Sequence, residues 1–260
     1  MKIEDLPVSE LVRSMVTENR RVIEAVEGQA KQIEEAVNYY VEAVKRGGKV
    51  VYFGAGTSGR IGFMDAVELY PTFGVGKETV VPLIAGGIRA LASAVEGAED
   101  DLAAADADFE SLGANSNYLF IGLSASGTTP YVIRIMQRAK EIGAKTVAIT
   151  STPASTVTAI ADLSITLDVG EEFVKGSTRL KAGTAEKIVL NTISTISMMK
   201  LGKTEKGLMK SLVPMNSKLR KRAVNVIVAL TGRSPEEAMA ALEKHGWDVE
   251  RAIGELEKRT

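Results

Sequence analysis

The chain has 260 residues, a net charge of −1, 45% hydrophobic and 25% charged residues. This length accommodates one large α/β core with accessory helices. The sequence has no cluster of basic residues interleaved with aromatic ones, so it gives no support for nucleic acid binding. It also lacks the roughly 18 consecutive apolar residues of a membrane-spanning helix. We therefore expect neither a nucleic acid nor a membrane partner.

Cysteine is absent, and His245 is the single histidine. This composition excludes disulfides, thiol nucleophiles and thiolate metal sites. Acid–base chemistry must then depend on carboxylates, lysines or tyrosines, and we predict no metal and no cofactor. The opening residues, MKIEDLPVSE, lack the apolar run of a signal peptide, which predicts a cytoplasmic protein.

Apolar periodicity predicts alternating strands and helices along the chain. Residues 8–46 are expected to form two helices, and Gly47 with Gly48 is expected to end the second one. Short apolar runs predict five strands, at 49–53, 79–84, 118–123, 145–150 and 163–168. Helices are predicted at 58–69 (broken near Pro71), 88–108, 130–142, 154–161 and 181–200. This alternation indicates an α/β fold whose parallel sheet is covered on both faces.

The C-terminal residues have the pattern of a separate helical unit. Ser234, Pro235 and Glu237 combine an N-cap, a proline at the first helical position and a capping-box glutamate. We expect three helices here, similar to ubiquitin-associated (UBA) folds. The predicted organisation is N-terminal helices over 1–48, a ligand-binding domain over 49–217 and this appendix over 218–260.

The first glycine-rich segment, residues 54–60 (GAGTSGR), is called the first loop. Its Gly54, Gly56 and Gly59 match the dinucleotide fingerprint, which by itself is weak support for such a site. That fingerprint needs an acidic residue after the second strand, whereas the residues there are 84-IAGG-87. Free amides at a helix start, together with the hydroxyls of Thr57 and Ser58, favour a compact phosphate. A merely tight turn would explain the glycines but not the two hydroxyls.

A second segment, residues 124–130 (SASGTTP), follows another predicted strand and is called the second loop. It has four hydroxyl side chains around Gly127, namely Ser124, Ser126, Thr128 and Thr129. Hydroxyls suit phosphate oxygens and sugar hydroxyls. Two such loops at the carboxyl ends of strands in one parallel sheet would converge on a single crevice.

Longer motifs around these loops give a family resemblance. After GAGTSGR the chain continues with Asp65, Ala66, Glu68, Pro71, Thr72, Phe73 and Gly74. Further matches are 96-EGAED-100, 125-ASGTTPYV-132 and 176-GSTRLKAGTAEKIVLNTIST-195. Over roughly residues 10–230 the sequence resembles the sugar-isomerase-type (SIS) phosphosugar-binding proteins, and among them the N-acetylmuramic acid 6-phosphate etherases. The resemblance implies a flavodoxin-like, three-layer SIS domain. The glucokinase regulatory protein, which is not known as an enzyme, is related.

The resemblance also implies a reaction and its residues. Etherases of this family are lyases that convert N-acetylmuramic acid 6-phosphate into N-acetylglucosamine 6-phosphate and D-lactate. By motif match, Glu68 resembles the proton donor to lactate, and Glu99 resembles the base at C2. The alternative for each glutamate is an ordinary exposed side chain, and which one is the acid stays open.

Two further expectations concern the run 176–195 and the position of Glu68. Ser177, Thr178, Arg179 and Lys181 could contact the phosphate or the lactyl carboxylate. Alternatively, the run could be a helix start that builds the dimer contact, with buried polar packing by Thr184, Asn191 and Ser194. An unbroken helix would place Glu68 about 15 Å from Ser58 along its axis. We therefore expect a homodimer with its site at or near the subunit interface.

One departure from the family pattern leaves alternatives open. Thr128 stands where the family usually has arginine, which could mean a different sugar substituent. If the source organism makes no muramic acid, the substrate must differ. The alternatives are a non-catalytic sugar-phosphate-binding regulator and a sugar-phosphate isomerase of the same fold.

Overall fold

Five parallel strands form the central sheet of the computed structural model, which describes residues 3–258. They are β1 (Val50–Gly54), β2 (Val80–Ile84), β3 (Leu119–Leu123), β4 (Lys145–Thr150) and β5 (Leu163–Thr166). All five lie within two residues of the predicted strands. Their order in the sheet is β2-β1-β3-β4-β5. This is the flavodoxin-like order, in which ligands bind where the chain switches direction between β1 and β3.

Helices cover both faces of the sheet, and three more form the C-terminal region. They are α1 (Val8–Glu18), α2 (Arg20–Glu27), α3 (Ala30–Lys45), α4 (Gly56–Phe73), α5 (Arg89–Ala92), α6 (Leu102–Ser111), α7 (Pro130–Glu141), α8 (Thr156–Ile160), α9 (Lys181–Lys200), α10 (Ser217–Thr231), α11 (Pro235–Lys244) and α12 (Val249–Glu257). Within residues 3–258, no helix is both long and apolar enough to cross a membrane.

The core consists of two apolar layers separated by the sheet. On one face, Tyr52 and Ile121 pack with α2, α3, α4 and α9. On the other face, Phe53 and Phe120 pack with α6, α7 and α8. Successive strand residues alternate between these layers, so the central strands are buried on both faces. The predicted three-layer α/β class is confirmed.

The N-terminal region contains three helices rather than the predicted two. α1 ends at Glu18, where the Asn19 side chain donates to the Met15 carbonyl (2.9 Å). Gly28 then ends α2. The Asn19 side-chain hydrogen bond and the low helix propensity of Gly28 therefore interrupt the helical pattern at these two positions. The apolar spacing continues across both breaks, so periodicity alone did not reveal them.

α4 is longer than predicted and is not broken at Pro71. It starts at Gly56 and continues to Phe73, where Gly74 ends it in a left-handed conformation. Pro71 lies in the last turn, where the loss of one backbone hydrogen bond is tolerated. The Pro71 carbonyl accepts from the Val213 amide (3.2 Å), which connects α4 to the C-terminal region.

The predicted helix over 88–108 is divided into α5, a 3-10 turn at Ala98–Asp100 and α6. Gly97 adopts a left-handed conformation with φ 72°. Asp101 then starts α6 by accepting from the Ala104 amide (2.9 Å). These two residues interrupt the helix and place Glu99 in a short exposed turn.

The three predicted C-terminal helices are present as α10, α11 and α12. The capping box at Ser234 and Glu237 is formed as expected, with donor–acceptor distances of 3.2 and 2.9 Å. The helices share their own apolar cluster, which includes Ile227, Leu242 and Ile253. The division into segments 1–48, 49–217 and 218–260 stays a prediction, and its extreme ends, residues 1–2 and 259–260, lie outside the described residues.

Candidate active site

The first loop connects β1 to α4 at the switch point of the sheet. The first intrahelical hydrogen bond of α4 runs from the Gly59 amide to the Ala55 carbonyl (3.1 Å). The amides of Gly56, Thr57 and Ser58 therefore precede the helical hydrogen-bond pattern. They lie at the positive end of the helix dipole, which is the geometry of an anion site.

Gly59 is required by the close approach of α4 to the sheet. A side-chain carbon there would lie 2.6 Å from the Gly54 carbonyl oxygen and 2.6 Å from Ile84 Cγ1. Such distances are shorter than real carbon contacts, and one of the atoms belongs to the backbone. The absence of a side chain lets the helix start directly above the strand end.

The second loop starts beside the first, because Leu123 pairs with Gly54 in the sheet. The Ser124 hydroxyl lies 2.8 Å from that of Thr129 and accepts from the Gly127 amide (3.1 Å), so both hydroxyls help to close the loop. Ser126 and Thr128 are exposed, and the Thr128 hydroxyl donates to that of Ser126 (3.1 Å). The Ser126 and Thr128 hydroxyls are accessible to a ligand, whereas those of Ser124 and Thr129 are less exposed and hold the loop together.

Gly127 allows the second loop to turn against the neighbouring chain. It has φ 68°, and a side-chain carbon would lie 2.2 Å from Ser155 Oγ. A residue with a side chain would be both strained and blocked.

Glu99 and the first loop line the same cavity, called the Glu99 cavity. It has a volume of about 290 Å³, and its lining includes Gly56, Arg60, Glu96 and Glu99. Arg60 reaches across it and donates to the Ser93 carbonyl (3.1 Å). The structure thus brings a predicted catalytic carboxylate to the predicted phosphate loop, in a cavity that Arg60 also lines.

Glu68 lies in a different cavity, called the Glu68 cavity, of about 320 Å³. Its lining includes Asp65, Glu68, Asn191 and Ser194 from α4 and α9. Since α4 is unbroken, Glu68 lies about 15 Å along the axis from Ser58. The two predicted catalytic glutamates are therefore not brought together within one chain.

Beside Glu68, the buried Asp65 connects α4 to α9. Its Oδ1 accepts from Asn191 Nδ2 (2.5 Å) and from the Ser194 hydroxyl (3.1 Å). Burial raises the pKa of Asp65 to about 6, although both hydrogen bonds oppose the shift. Asn191 and Ser194 thus have the polar packing role that was one of the two expectations for the run 176–195. The expectation of burial was wrong for Thr184, which is exposed and donates to the Leu180 carbonyl (2.8 Å) one turn earlier in the chain.

Lys181 is engaged in packing in this chain. It is 3% exposed, and its ammonium donates to Glu18 Oε2 (2.8 Å) and to the Glu171 carbonyl (2.5 Å). The Lys181 amide also donates to the Glu172 carboxylate (3.0 Å). These contacts fix the start of α9 against α1, because a buried ammonium needs such partners. A substrate contact by Lys181 stays a prediction.

Sequence reasoning assigned no role to Arg60, Asp65 or Glu186. The signals for Arg60 and Asp65 were present, since both belong to the matched motif. Glu186 is fully buried on α9, and its Oε1 accepts from the Ser58 hydroxyl (3.0 Å). Burial raises the pKa of Glu186 to about 8. Its partner is 128 residues away, so no local pattern indicates the contact.

The fold and the two loops define a phosphosugar-binding protein of the SIS class. Residues 103–195 match the SIS domain family, and residues 32–140 match the glucokinase regulatory protein N-terminal SIS domain. Residues 223–255 match the UBA-like domain family. A solved phosphoheptose isomerase from Neisseria gonorrhoeae has the same fold, with a TM-score of 0.57 at 16% identity, covering 74% of this chain and 98% of its own.

Curated relatives identify the family more narrowly. The chain is 45% identical to the N-acetylmuramic acid 6-phosphate etherase of Rubrobacter xylanophilus, covering 97% of this chain and 84% of the relative. It is 42% identical to N-acetylmuramic acid 6-phosphate etherase 1 of Bacillus licheniformis, covering 97% and 83%. The chain belongs to the N-acetylmuramic acid 6-phosphate etherase family.

Proposed function

We propose that this protein is a carbon–oxygen lyase that cleaves the D-lactyl ether of N-acetylmuramic acid 6-phosphate, in an active site completed by a second copy of the chain. The membership in the etherase family supports the reaction. The observation that carries the site assignment is the cavity that Gly56 of the first loop shares with Glu99.

The sugar phosphate is bound by the two loops. Thr57, Ser58 and the amides at the start of α4 hold the phosphate, because these donors lie at the positive end of the helix dipole. Ser58 contributes its amide, since its hydroxyl donates to Glu186. The exposed hydroxyls of Ser126 and Thr128 contact the phosphate or the sugar. Because Gly59 and Gly127 have no side chains, α4 and the second loop can pack closely against the neighbouring parts of the chain. The hydrogen bond between Ser124 and Thr129 keeps the second loop closed.

Glu99 is the base at C2 of the open-chain sugar. The aldehyde at C1 acidifies this proton, and its removal leaves an enolate. The enolate then collapses to form the C2–C3 double bond as the C3–oxygen bond breaks. Glu68 donates a proton to the departing lactate oxygen. Water then adds at C3, and a proton returns to C2. The products are N-acetylglucosamine 6-phosphate and D-lactate.

The distance between the two glutamates supports a homodimer with shared sites. Glu68 is exposed on α4, and Met64, Val67 and Tyr70 beside it are exposed apolar side chains. Exposed apolar clusters of this kind mark protein contacts. If this face of α4 packs on a second copy, Glu68 of one chain completes the Glu99 cavity of the other.

The test is proton NMR of the purified protein with N-acetylmuramic acid 6-phosphate in heavy water. We expect free lactate and a product that carries deuterium at C2, since the proton removed there exchanges with solvent. Fructose-type products would indicate an isomerase. Binding without lactate release and without exchange would indicate a regulator and contradict the proposal.

Two variants assign the roles in the same experiment. Glu99→Gln should abolish both the C2 exchange and the lactate release, because the base is missing. Glu68→Gln should release no lactate but still exchange the C2 proton. If Glu68→Gln instead abolished the C2 exchange and Glu99→Gln kept it, Glu68 would be the base and Glu99 the acid.

A further inference from the structure

Glu186 is a buried carboxyl group beneath the first loop, outside the proposed acid–base pair. It is 0% exposed, and its Oε1 accepts from the Ser58 hydroxyl at 3.0 Å. Its second oxygen, Oε2, is buried and has no hydrogen-bond partner among the described residues. A buried carboxylate with an unsatisfied oxygen is costly, so the site favours the neutral acid.

Charged side chains around Glu186 are engaged elsewhere or exposed. On α9, Lys181 pairs with Glu18, and Lys187 donates to Asn191. On α4, Asp65 accepts from Asn191, and Arg60 donates to the Ser93 carbonyl. The charged residues of the other elements packed on α9 are exposed: Arg20, Arg21, Glu24, Glu27, Lys31, Glu34, Glu35, Glu42, Lys45 and Lys145. Burial also raises the pKa of Tyr40 on α3, which keeps it neutral.

This arrangement couples Glu186 to the phosphate site. Ser58 supplies both a backbone amide and a hydroxyl to the start of α4, so a charge on Glu186 would lie directly behind the donors that bind the anion. α9 packs closely there: a side-chain carbon at Gly183 would lie 3.2 Å from Thr57 Cγ2. A carboxylate in that position would oppose the positive end of the helix dipole.

We propose that Glu186 is a positioning residue that controls phosphate affinity at the first loop through Ser58. As the neutral acid, Glu186 leaves the positive potential of the loop to the ligand. As the carboxylate, it holds the Ser58 hydroxyl and repels the phosphate. The inference rests on the proposed function only in taking the first loop as the phosphate site.

The direction of the pH effect follows from the raised pKa of about 8. Below that pH the group is neutral and the loop binds phosphate well. Above it the carboxylate forms and the affinity falls. By linkage, a phosphate that binds above pH 8 must be accompanied by uptake of a proton.

The experiment is calorimetric titration of wild type with N-acetylglucosamine 6-phosphate at pH 7.0 and 9.0. The phosphate ester, with a second pKa of about 6, is largely dianionic at both values. We expect the Kd to rise about tenfold at pH 9.0, because the neutral fraction of Glu186 falls by that factor. In buffers of different ionisation enthalpy, wild type should take up close to one proton at pH 9.0.

Variants separate this effect from general pH changes. Glu186→Gln keeps the shape of the side chain, and its Kd should change less than twofold between the two pH values, without proton uptake. Glu24→Gln removes an exposed charge from α2, which also packs on α9, and should follow wild type. In turnover, the KM of wild type should rise above pH 8 while that of Glu186→Gln does not, with little change in kcat.

Three outcomes would overturn the inference. They are a wild-type Kd that is independent of pH, a Glu186→Gln variant that keeps the wild-type pH dependence, and no binding at either pH. The absence of binding at both pH values would also contradict the assignment of the first loop as the phosphate site. Binding without lactate release would contradict the etherase reaction and leave the inference to be judged from the Kd values. If Glu186→Gln does not fold, proton uptake by wild type decides alone.

Discussion

The two ends of α4 differ in what they present. At the N-terminal end, free amides and two hydroxyls lie at the sheet switch point, next to the cavity that contains Glu99. In the C-terminal half, Asp65 is fixed to α9, while Glu68 points outward among exposed Met64, Val67 and Tyr70. Under the proposed function, the first end supplies phosphate donors within one chain, whereas Glu68 at the second end acts with a second copy. One helix would then serve two half-sites of the proposed dimer.

The largest expected effects are on kcat, when either of the two proposed catalytic glutamates is replaced. Glu99→Gln and Glu68→Gln should each lower kcat about 10³-fold, since one proton transfer is lost in each. Lactate release measured with a coupled dehydrogenase checks this. Glu243→Gln, which removes an exposed charge from α11 in the C-terminal region, is the control and should retain most activity. Near-normal kcat in either variant would show that the glutamate it replaces takes no part in the reaction.

Gly59→Ala should disrupt the N-terminal end by forcing α4 away from the sheet. We expect a loss of about 2–3 kcal/mol in the free energy of unfolding by urea, together with weaker phosphate binding. Gly254→Ala in α12 is the matched control, because no atom lies within 4 Å of the added carbon. It should stabilise the protein by about 0.5–1 kcal/mol. Equal changes in the free energy of unfolding for the two variants would contradict a close contact between α4 and the sheet at Gly59.

Lys181→Met should affect stability rather than catalysis. The substitution removes the pair with Glu18, and we expect a loss of about 1–2 kcal/mol in urea, with kcat and KM within about threefold of wild type. Glu18→Gln should also destabilise, since it leaves the buried ammonium without its carboxylate. A tenfold rise in KM without loss of stability would instead make Lys181 a substrate ligand.

Ser126→Ala should have the smallest effect. Removal of one exposed hydroxyl from the second loop should raise KM about threefold to tenfold, the equivalent of one hydrogen bond. Ser116→Ala, at an exposed position before β3, is the control and should leave KM unchanged. An unchanged KM in Ser126→Ala would show that the ligand does not reach this part of the second loop.

The central sheet could be predicted from the sequence because each buried parallel strand is a short, continuous apolar run. Both ends of α9 were also predicted. The breaks at Asn19 and Gly28 were missed, since the helical spacing of apolar residues continues across them. Over 88–108, apolar content suggested one helix, although Gly97 and Asp101 had the signals that interrupt it.

Contacts between distant residues were beyond sequence reasoning. Asp65 meets Asn191 across 126 positions, and Ser58 meets Glu186 across 128. Local patterns encode helix faces and caps, but they do not specify which helices pack together. The motifs identified Glu68 and Glu99 as candidates but did not give their relative position. The structure shows an unbroken α4 and places the two glutamates in separate cavities of one chain.

The most direct test of the shared site is to mix the two inactive variants. Glu68→Gln and Glu99→Gln chains are unfolded together, refolded as a mixture and assayed for lactate release. If each site takes one glutamate from each chain, half of the dimers are mixed, and each has one intact site. Activity should then return to about a quarter of wild type. A mixture as inactive as its components would contradict a site shared between two copies.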